Sequence, residues 1–158
     1  MLYTFSMRIF IGADHRGFEL KDKIIDYLHE KNIRIEDLGS YEYQKDDDYP
    51  DFAKKVVEAV LQEPDDRLGI VICGSGVGVS IVANRYKKIR CGIALNKEQV
   101  IHAREKDHIN ILSLASDYFN FDGVTELINA FIDTPLTTEA KYLRRIKKID
   151  EVDHNIHD

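Results

Sequence analysis

The sequence predicts an α/β fold, a doubly wound five-stranded parallel sheet of the Rossmann-like three-layer αβα kind. Three observations predict it. Five short apolar runs recur along the 158 residues. Between them the apolar residues switch to helical spacing. The length suits one domain with a substantial core and is too short for two ordinary ones.

Each element follows from its own pattern. Arg8-Ile9-Phe10-Ile11-Gly12 is a mostly apolar run closed by glycine, as expected of a buried strand. From Phe18 to Lys31, Leu20, Ile24, Tyr27 and Leu28 recur at helical intervals. Ile33 to Leu38 reads as a second strand, stopped by Gly39. The polar segment from Ser40 to Tyr49 carries Asp46-Asp47-Asp48, which reads as a solvated acidic loop without the alternating pattern of a calcium loop. Pro50 suits the first turn of a helix, continued by Phe52, Val56 and Val60.

Leu68-Gly69-Ile70-Val71-Ile72-Cys73 is the strongest strand, and it runs into Gly74-Ser75-Gly76-Val77-Gly78 and a helix to about Asn84. Ile89 to Leu95 is the fourth strand, followed by a helix from Lys97 to Lys106. Ile109 to Leu114 is the fifth. Val124, Leu127, Ile128 and Phe131 mark another helix. The last helix is expected over 137–152, with Tyr142, Ile146 and Ile149 on one face. The expected organisation is a single domain over 1–158, with 1–6 a short extension and the polar end DHNIHD frayed.

Composition narrows the function classes. The chain is 44% hydrophobic and 32% charged, which excludes a disordered protein. A net charge of −6 argues against a general nucleic-acid-coating surface. No apolar run approaches the roughly 18 residues of a membrane span. No secretory signal pattern opens the chain, so a cytoplasmic location is expected. Two cysteines cannot supply a disulfide framework or a four-cysteine zinc site.

In open parallel sheets ligands bind beyond the carboxyl ends of the strands. Those ends carry Asp14-His15-Arg16-Gly17, the Cys73 to Gly78 stretch, and Asn96. The glycines of Gly74-Ser75-Gly76-Val77-Gly78 let backbone N–H groups approach an anion, beside a helix N-terminus. A plain tight turn is the alternative reading. The spacing is neither the dinucleotide fingerprint nor a P-loop. Cys73 sits at the mouth of this loop, where a helix N-terminus favours the thiolate. Cys91 lies early in the fourth strand, between Ile89 and Ile93, and reads as packing. On parallel strands the two fall near opposite ends, which argues against their pairing. Asp14 reads as a turn or cap residue, or as a ligand-binding carboxylate; His15 reads as facing a phosphate.

Taken together, Ile11-Gly12-Ala13-Asp14-His15-Arg16-Gly17, Asp48-Tyr49-Pro50 and the segment Gly69 to Gly78 are specific, with Ala83-Asn84 and Ile89-Arg90 following in order. On these residues the sequence resembles the sugar-phosphate isomerase family of ribose-5-phosphate isomerase type B and the galactose-6-phosphate isomerase subunits. The resemblance covers about Met7 to Ile149. It implies interconversion of an aldose phosphate and a ketose phosphate, without metal or organic cofactor. It implies that Cys73 moves a proton between C1 and C2 through a cis-enediolate. Family members without this cysteine use a glutamate at the position of Val79. The N–H groups of Gly74, Gly76, Val77 and Gly78, with the Ser75 hydroxyl, would hold the oxyanion. By the same resemblance Asp14 contacts sugar hydroxyls, His15 the phosphate, Tyr49 lines the pocket, and Arg145 and Lys141 bind phosphate. The bland alternative for the basic run Lys141 to Lys148 is a solvated helix face.

Three positions depart from the family pattern. The histidine that opens the sugar ring falls on Lys106, which at an ordinary pKa of about 10.4 donates a proton but does not accept one near neutrality. The substrate-binding asparagine falls on Asp107, and a phosphate arginine falls on Asp117. His108, two residues beyond Lys106, is the alternative acid/base. Asp117 leaves three readings open: a shifted substrate, a different sugar, or a helix cap. The resemblance also implies a homodimer, or a tetramer, whose sites are shared between subunits. The expected partner is a small sugar phosphate, with no nucleic acid and no membrane. Three functions are weighed: a ribose 5-phosphate isomerase using Cys73, an isomerase of another pentose or hexose phosphate, and a non-catalytic sugar-phosphate-binding module.

Overall fold

The computed structural model describes residues 7–152. The expected extension 1–6 and the polar end 153–158 lie outside the described residues. The elements run β1 (Arg8–Ala13), α1 (Phe18–Glu30), β2 (Ile35–Asp37), α2 (Tyr49–Leu61), β3 (Arg67–Cys73), α3 (Val77–Ala83), β4 (Cys91–Ile93), α4 (Lys97–Asp107), β5 (Ile111–Ala115), α5 (Phe121–Asp133) and α6 (Ala140–Asp150).

All five strands are parallel, in the order β2-β1-β3-β5-β4. The central strands are wholly buried along β3 and β5, which explains their continuous apolar runs. β2 and β4 each keep only three paired residues, fewer than their apolar runs suggested. They lie at the sheet edges, where one side of the ladder has no strand to pair with.

The two faces divide the core. Ile9, Ile11, Ile70, Ile72, Leu112 and Leu114 point to one face with Ile24 and Leu28 of α1, Val100 of α4 and Phe131 of α5. Phe10, Val71, Cys73 and Ile111 point to the other with Val56, Val57 and Val60 of α2 and Val79 of α3. This alternation along each strand makes the three layers. Close packing also fixes glycines: a Cβ on Gly69 would lie 2.7 Å from a methyl of Val56. α2 begins with Pro50 in its first turn, as its sequence requires. α6 is shorter than the expected 137–152 and packs against α4, burying Ile146 while Ile149 stays exposed.

Candidate active site

The end of β1 carries the first group of side chains. Asp14 is buried, and its Oδ1 accepts the N–H groups of Arg16 at 3.0 Å and Gly17 at 3.2 Å. Burial raises its pKa above the usual carboxylate value, against the pull of these N–H groups and of His15. His15 follows, half-buried. One carboxylate oxygen of Asp47 accepts both its backbone N–H at 3.0 Å and its ring Nδ1 at 2.7 Å. The Asp47 side chain is only 7% exposed, and its Oδ2 has no partner. The reading of 46–48 as a solvated acidic loop is therefore corrected at Asp47; Asp46 and Asp48 are exposed. The loop folds back because Gly39 and Ser40 continue the ladder beside β1. Ala13 donates to the Gly39 carbonyl at 2.8 Å, and Ser40 donates to the Ala13 carbonyl at 2.9 Å.

The end of β3 carries the second group. Cys73 is buried, and the N–H of Gly76 donates to its Sγ at 3.2 Å. Gly76 makes this turn with a φ of 72°, a left-handed conformation suited to glycine. Ser75 is exposed, and its Oγ accepts the N–H of Val77 at 3.2 Å. The end of the Tyr49 ring rests against Gly78: a Cβ there would come within 2.6 Å of its Cζ. Cys73 pairs with Ala115 and Cys91 with Ile111, so the two cysteines are separated along the strand direction as expected. Both are free, and burial pushes the Cys91 thiol up to about 12.

Two charged residues close over this loop. Arg16 donates to Asp117 across 101 residues of sequence, and both are at least partly exposed. The guanidinium lies against Gly74. Of the three readings left open for Asp117, capping is excluded: the N-cap of α5 is Asn120, whose Oδ1 accepts the N–H of Gly123 at 2.8 Å. The negative charge of Asp117 is matched by Arg16 instead.

The remaining predicted residues lie elsewhere. Lys106, Asp107 and His108 end α4 and precede β5, so they sit at the opposite end of the strands from Cys73. The length of β5 alone separates the two ends by about 13 Å. Lys106 Nζ donates to Glu105 at 3.0 Å and Glu139 at 3.3 Å, and lies 4.7 Å from the centre of the Tyr142 ring. Hydrogen bonding to Glu105 first, then Glu139, raises its pKa, so it is a cation at neutrality. Lys141 Nζ and Arg145 Cζ approach the same ring at 4.6 and 5.5 Å. Asp107 is exposed. His108 takes a left-handed conformation at the C-cap of α4, and its Nε2 donates to the Thr137 carbonyl at 3.0 Å. Burial lowers its pKa, which favours the neutral ring.

One chain thus brings together Asp14, His15, Tyr49, Cys73, Ser75 and the glycine loop. It gathers Lys106, Lys141 and Arg145 around Tyr142 at the other end of the strands, with His108 nearby. Sequence reasoning missed Asp47 and Arg16, since their partners are 32 and 101 residues away. Asp14, His15 and Asp47 also offer ligand atoms within 4.8 Å of one another. Asp47 Oδ1 is engaged by Nδ1 of His15 and Asp14 Oδ1 by backbone N–H groups, while Asp47 Oδ2 is unpartnered.

Fold and site edge together define the class: an open-sheet α/β protein presenting a thiol, a carboxylate and a glycine-rich turn at its strand ends. Within that class the chain belongs to the Ribose/Galactose Isomerase family, whose model matches residues 9–149. It is 34% identical over 145 residues to ribose-5-phosphate isomerase B of Mycolicibacterium paratuberculosis, covering 92% of this chain and 91% of that one. Among solved structures it resembles ribose-5-phosphate isomerase B from Mycoplasma genitalium with bound ribulose-5-phosphate, at TM-score 0.88 and 35% identity over 92% of this chain and 95% of that one. It also resembles the ribose 5-phosphate isomerase of Thermotoga maritima, at TM-score 0.86 and 41% identity, covering 92% and 98%. No helix among the described residues is long and apolar enough to cross a membrane.

Proposed function

We propose that this chain is an aldose–ketose isomerase that interconverts ribose 5-phosphate and ribulose 5-phosphate, with Cys73 as the proton-transfer base. The observation that carries this reading is the placement of Cys73 Sγ under the Gly74–Gly78 turn, receiving the Gly76 N–H at 3.2 Å. Asp14 and His15 end the neighbouring strand on the same edge. In this reading the Cys73 thiolate takes the proton from C2 of the open-chain aldose. Charge moves onto O1, giving a cis-enediolate. The proton on O2 passes to O1, and the thiol returns its proton to C1. The turn N–H groups not already engaged, with the Ser75 hydroxyl, hold the oxyanion. Removing one such donor would raise the barrier by roughly 3–4 kcal/mol.

The phosphate is bound by His15 of one subunit and by Lys141 and Arg145 of a second copy. What supports such sharing is that one chain keeps these residues at opposite ends of the strands. In this reading the active form is a homodimer, or a tetramer, working in the cytoplasm. Lys106 supplies a proton donor for ring opening from the second copy, with Asp107 beside it. His108 is the alternative acid/base, and its neutral ring could accept a proton.

A second reading, an isomerase of another pentose or hexose phosphate, is favoured by Lys106 and by the Arg16–Asp117 pair. The test incubates the protein with ribose 5-phosphate and follows ribulose 5-phosphate. Turnover that disappears in Cys73→Ala is expected. Turnover of a different aldose phosphate only would establish the second reading, and binding without any turnover would leave a non-catalytic module.

A further inference from the structure

Arg16 is exposed but held at both its backbone and its side chain. Its backbone N–H is fixed to Asp14 Oδ1 at 3.0 Å, in the tight turn between β1 and α1. Its side chain then crosses to the end of β3. A Cβ on Gly74 would lie 2.6 Å from Arg16 Nε, 2.8 Å from its Cζ and 2.8 Å from Asp117 Oδ2. The guanidinium and the carboxylate therefore rest on the bare backbone of the residue after Cys73. Only a glycine leaves room for them.

A guanidinium carries five N–H donors in a planar fork. Among the described residues the protein engages Arg16 through Asp117 alone. The side chain is 57% exposed, and an exposed ion pair of this kind adds little to stability. What the pair does is hold an unfilled donor fork beside the glycine turn, in the residue that follows His15. Planar, bidentate recognition of an oxyanion is what such a fork suits. Asp117 by itself would repel that anion; paired, it aims the cation and cancels its own charge.

We infer that Arg16 is a substrate-binding residue that grips the phosphate group, and that Asp117 is its positioning residue. The assignment rests on the sugar-phosphate reading of the site and adds a residue to it. The position of the guanidinium over Gly74 fixes how far the phosphate lies from Cys73, so the pair also helps to select the sugar.

The test uses the full chain and its Arg16→Ala, Arg16→Lys, Asp117→Asn and Arg16→Ala/Asp117→Asn variants, each first shown by circular dichroism to unfold at a similar temperature. KM and kcat for the aldose phosphate that is turned over are measured with the inhibition constant of inorganic phosphate. Arg16→Ala should raise KM and the phosphate inhibition constant together by about tenfold, with kcat changed much less. Arg16→Lys should fall between, because a point charge lacks the fork. Once Arg16 is gone, Asp117→Asn should improve phosphate binding; in its presence the same change should weaken it a few-fold. KM and phosphate inhibition within twofold of the parent in Arg16→Ala would overturn the inference and leave the isomerase reading intact. If the parent turns over no sugar phosphate, the isomerase reading fails separately. Titration of the same variants with inorganic phosphate, followed by NMR, then decides the role of Arg16: weaker binding in Arg16→Ala supports it and equal binding overturns it.

Discussion

Replacing Asp47 with alanine removes the two hydrogen bonds that bind the 40–49 loop to His15, at 2.7 and 3.0 Å. Bonds to a charged group contribute about 1.5–3 kcal/mol each when buried. Two opposing effects reduce their sum. The carboxylate is only 7% exposed with one oxygen unpartnered, so its removal also relieves a desolvation cost of about 1–3 kcal/mol. His15 is half-buried and regains part of its hydrogen bonding from water. The expected net loss is about 1–3 kcal/mol. At this chain length each kcal/mol lowers the unfolding midpoint by about 2–4 °C, which gives a fall of about 2–12 °C. Thermal unfolding followed by circular dichroism measures it. Hydrogen exchange of the His15 amide gives a local readout, and it should quicken as the clasp is lost. KM for the sugar phosphate should rise as the imidazole loses its anchor. An unchanged midpoint together with unchanged His15 exchange would refute the reasoning and return Asp47 to a solvated loop.

Asp14→Asn should stabilise the fold at neutral pH while weakening the site. Burial raises the Asp14 pKa above its unfolded value, so the carboxyl contributes stability below the unfolded pKa and loses it as pH rises through the folded one. Unfolding of parent and variant in urea should differ most near pH 7 and converge towards pH 4; a variant less stable at pH 7 would contradict this sign. Asparagine keeps the oxygen that accepts the Arg16 and Gly17 N–H groups. Native-state alkylation at pH 8 with iodoacetamide, mapped by mass spectrometry, should leave Cys91 unmodified, because burial holds its thiol near 12. Rapid labelling of Cys91 would show that β4 opens at the sheet edge.

Much of the layer architecture was legible because it depends on local patterning. The run Leu68 to Cys73 announced a strand buried on both sides, and Phe52, Val56 and Val60 announced one face of α2. The separation of Cys73 from Cys91 followed from strand direction alone. What periodicity does not encode is which strands become neighbours. The insertion of β5 between β3 and β4 is a matter of pairing. The same limit applies to charge. Asp46, Asp47 and Asp48 look alike in sequence, and only the fold-back of the loop beside Ala13 buries the middle one. Asp117 gave no local sign of its partner at Arg16. Lys106 was recognisable as a departure, while its fixation by Glu105 and Glu139 depended on α6 packing back onto α4.

The division of polar groups between the two ends of the strands has a genetic consequence on the shared-site reading. One chain carries half of each of two sites, so damage at Cys73 and damage at Arg145 fall on different halves. Two inactive alleles, one broken at each end, can meet in one mixed dimer. One of its sites then inherits both lesions, and the other inherits none.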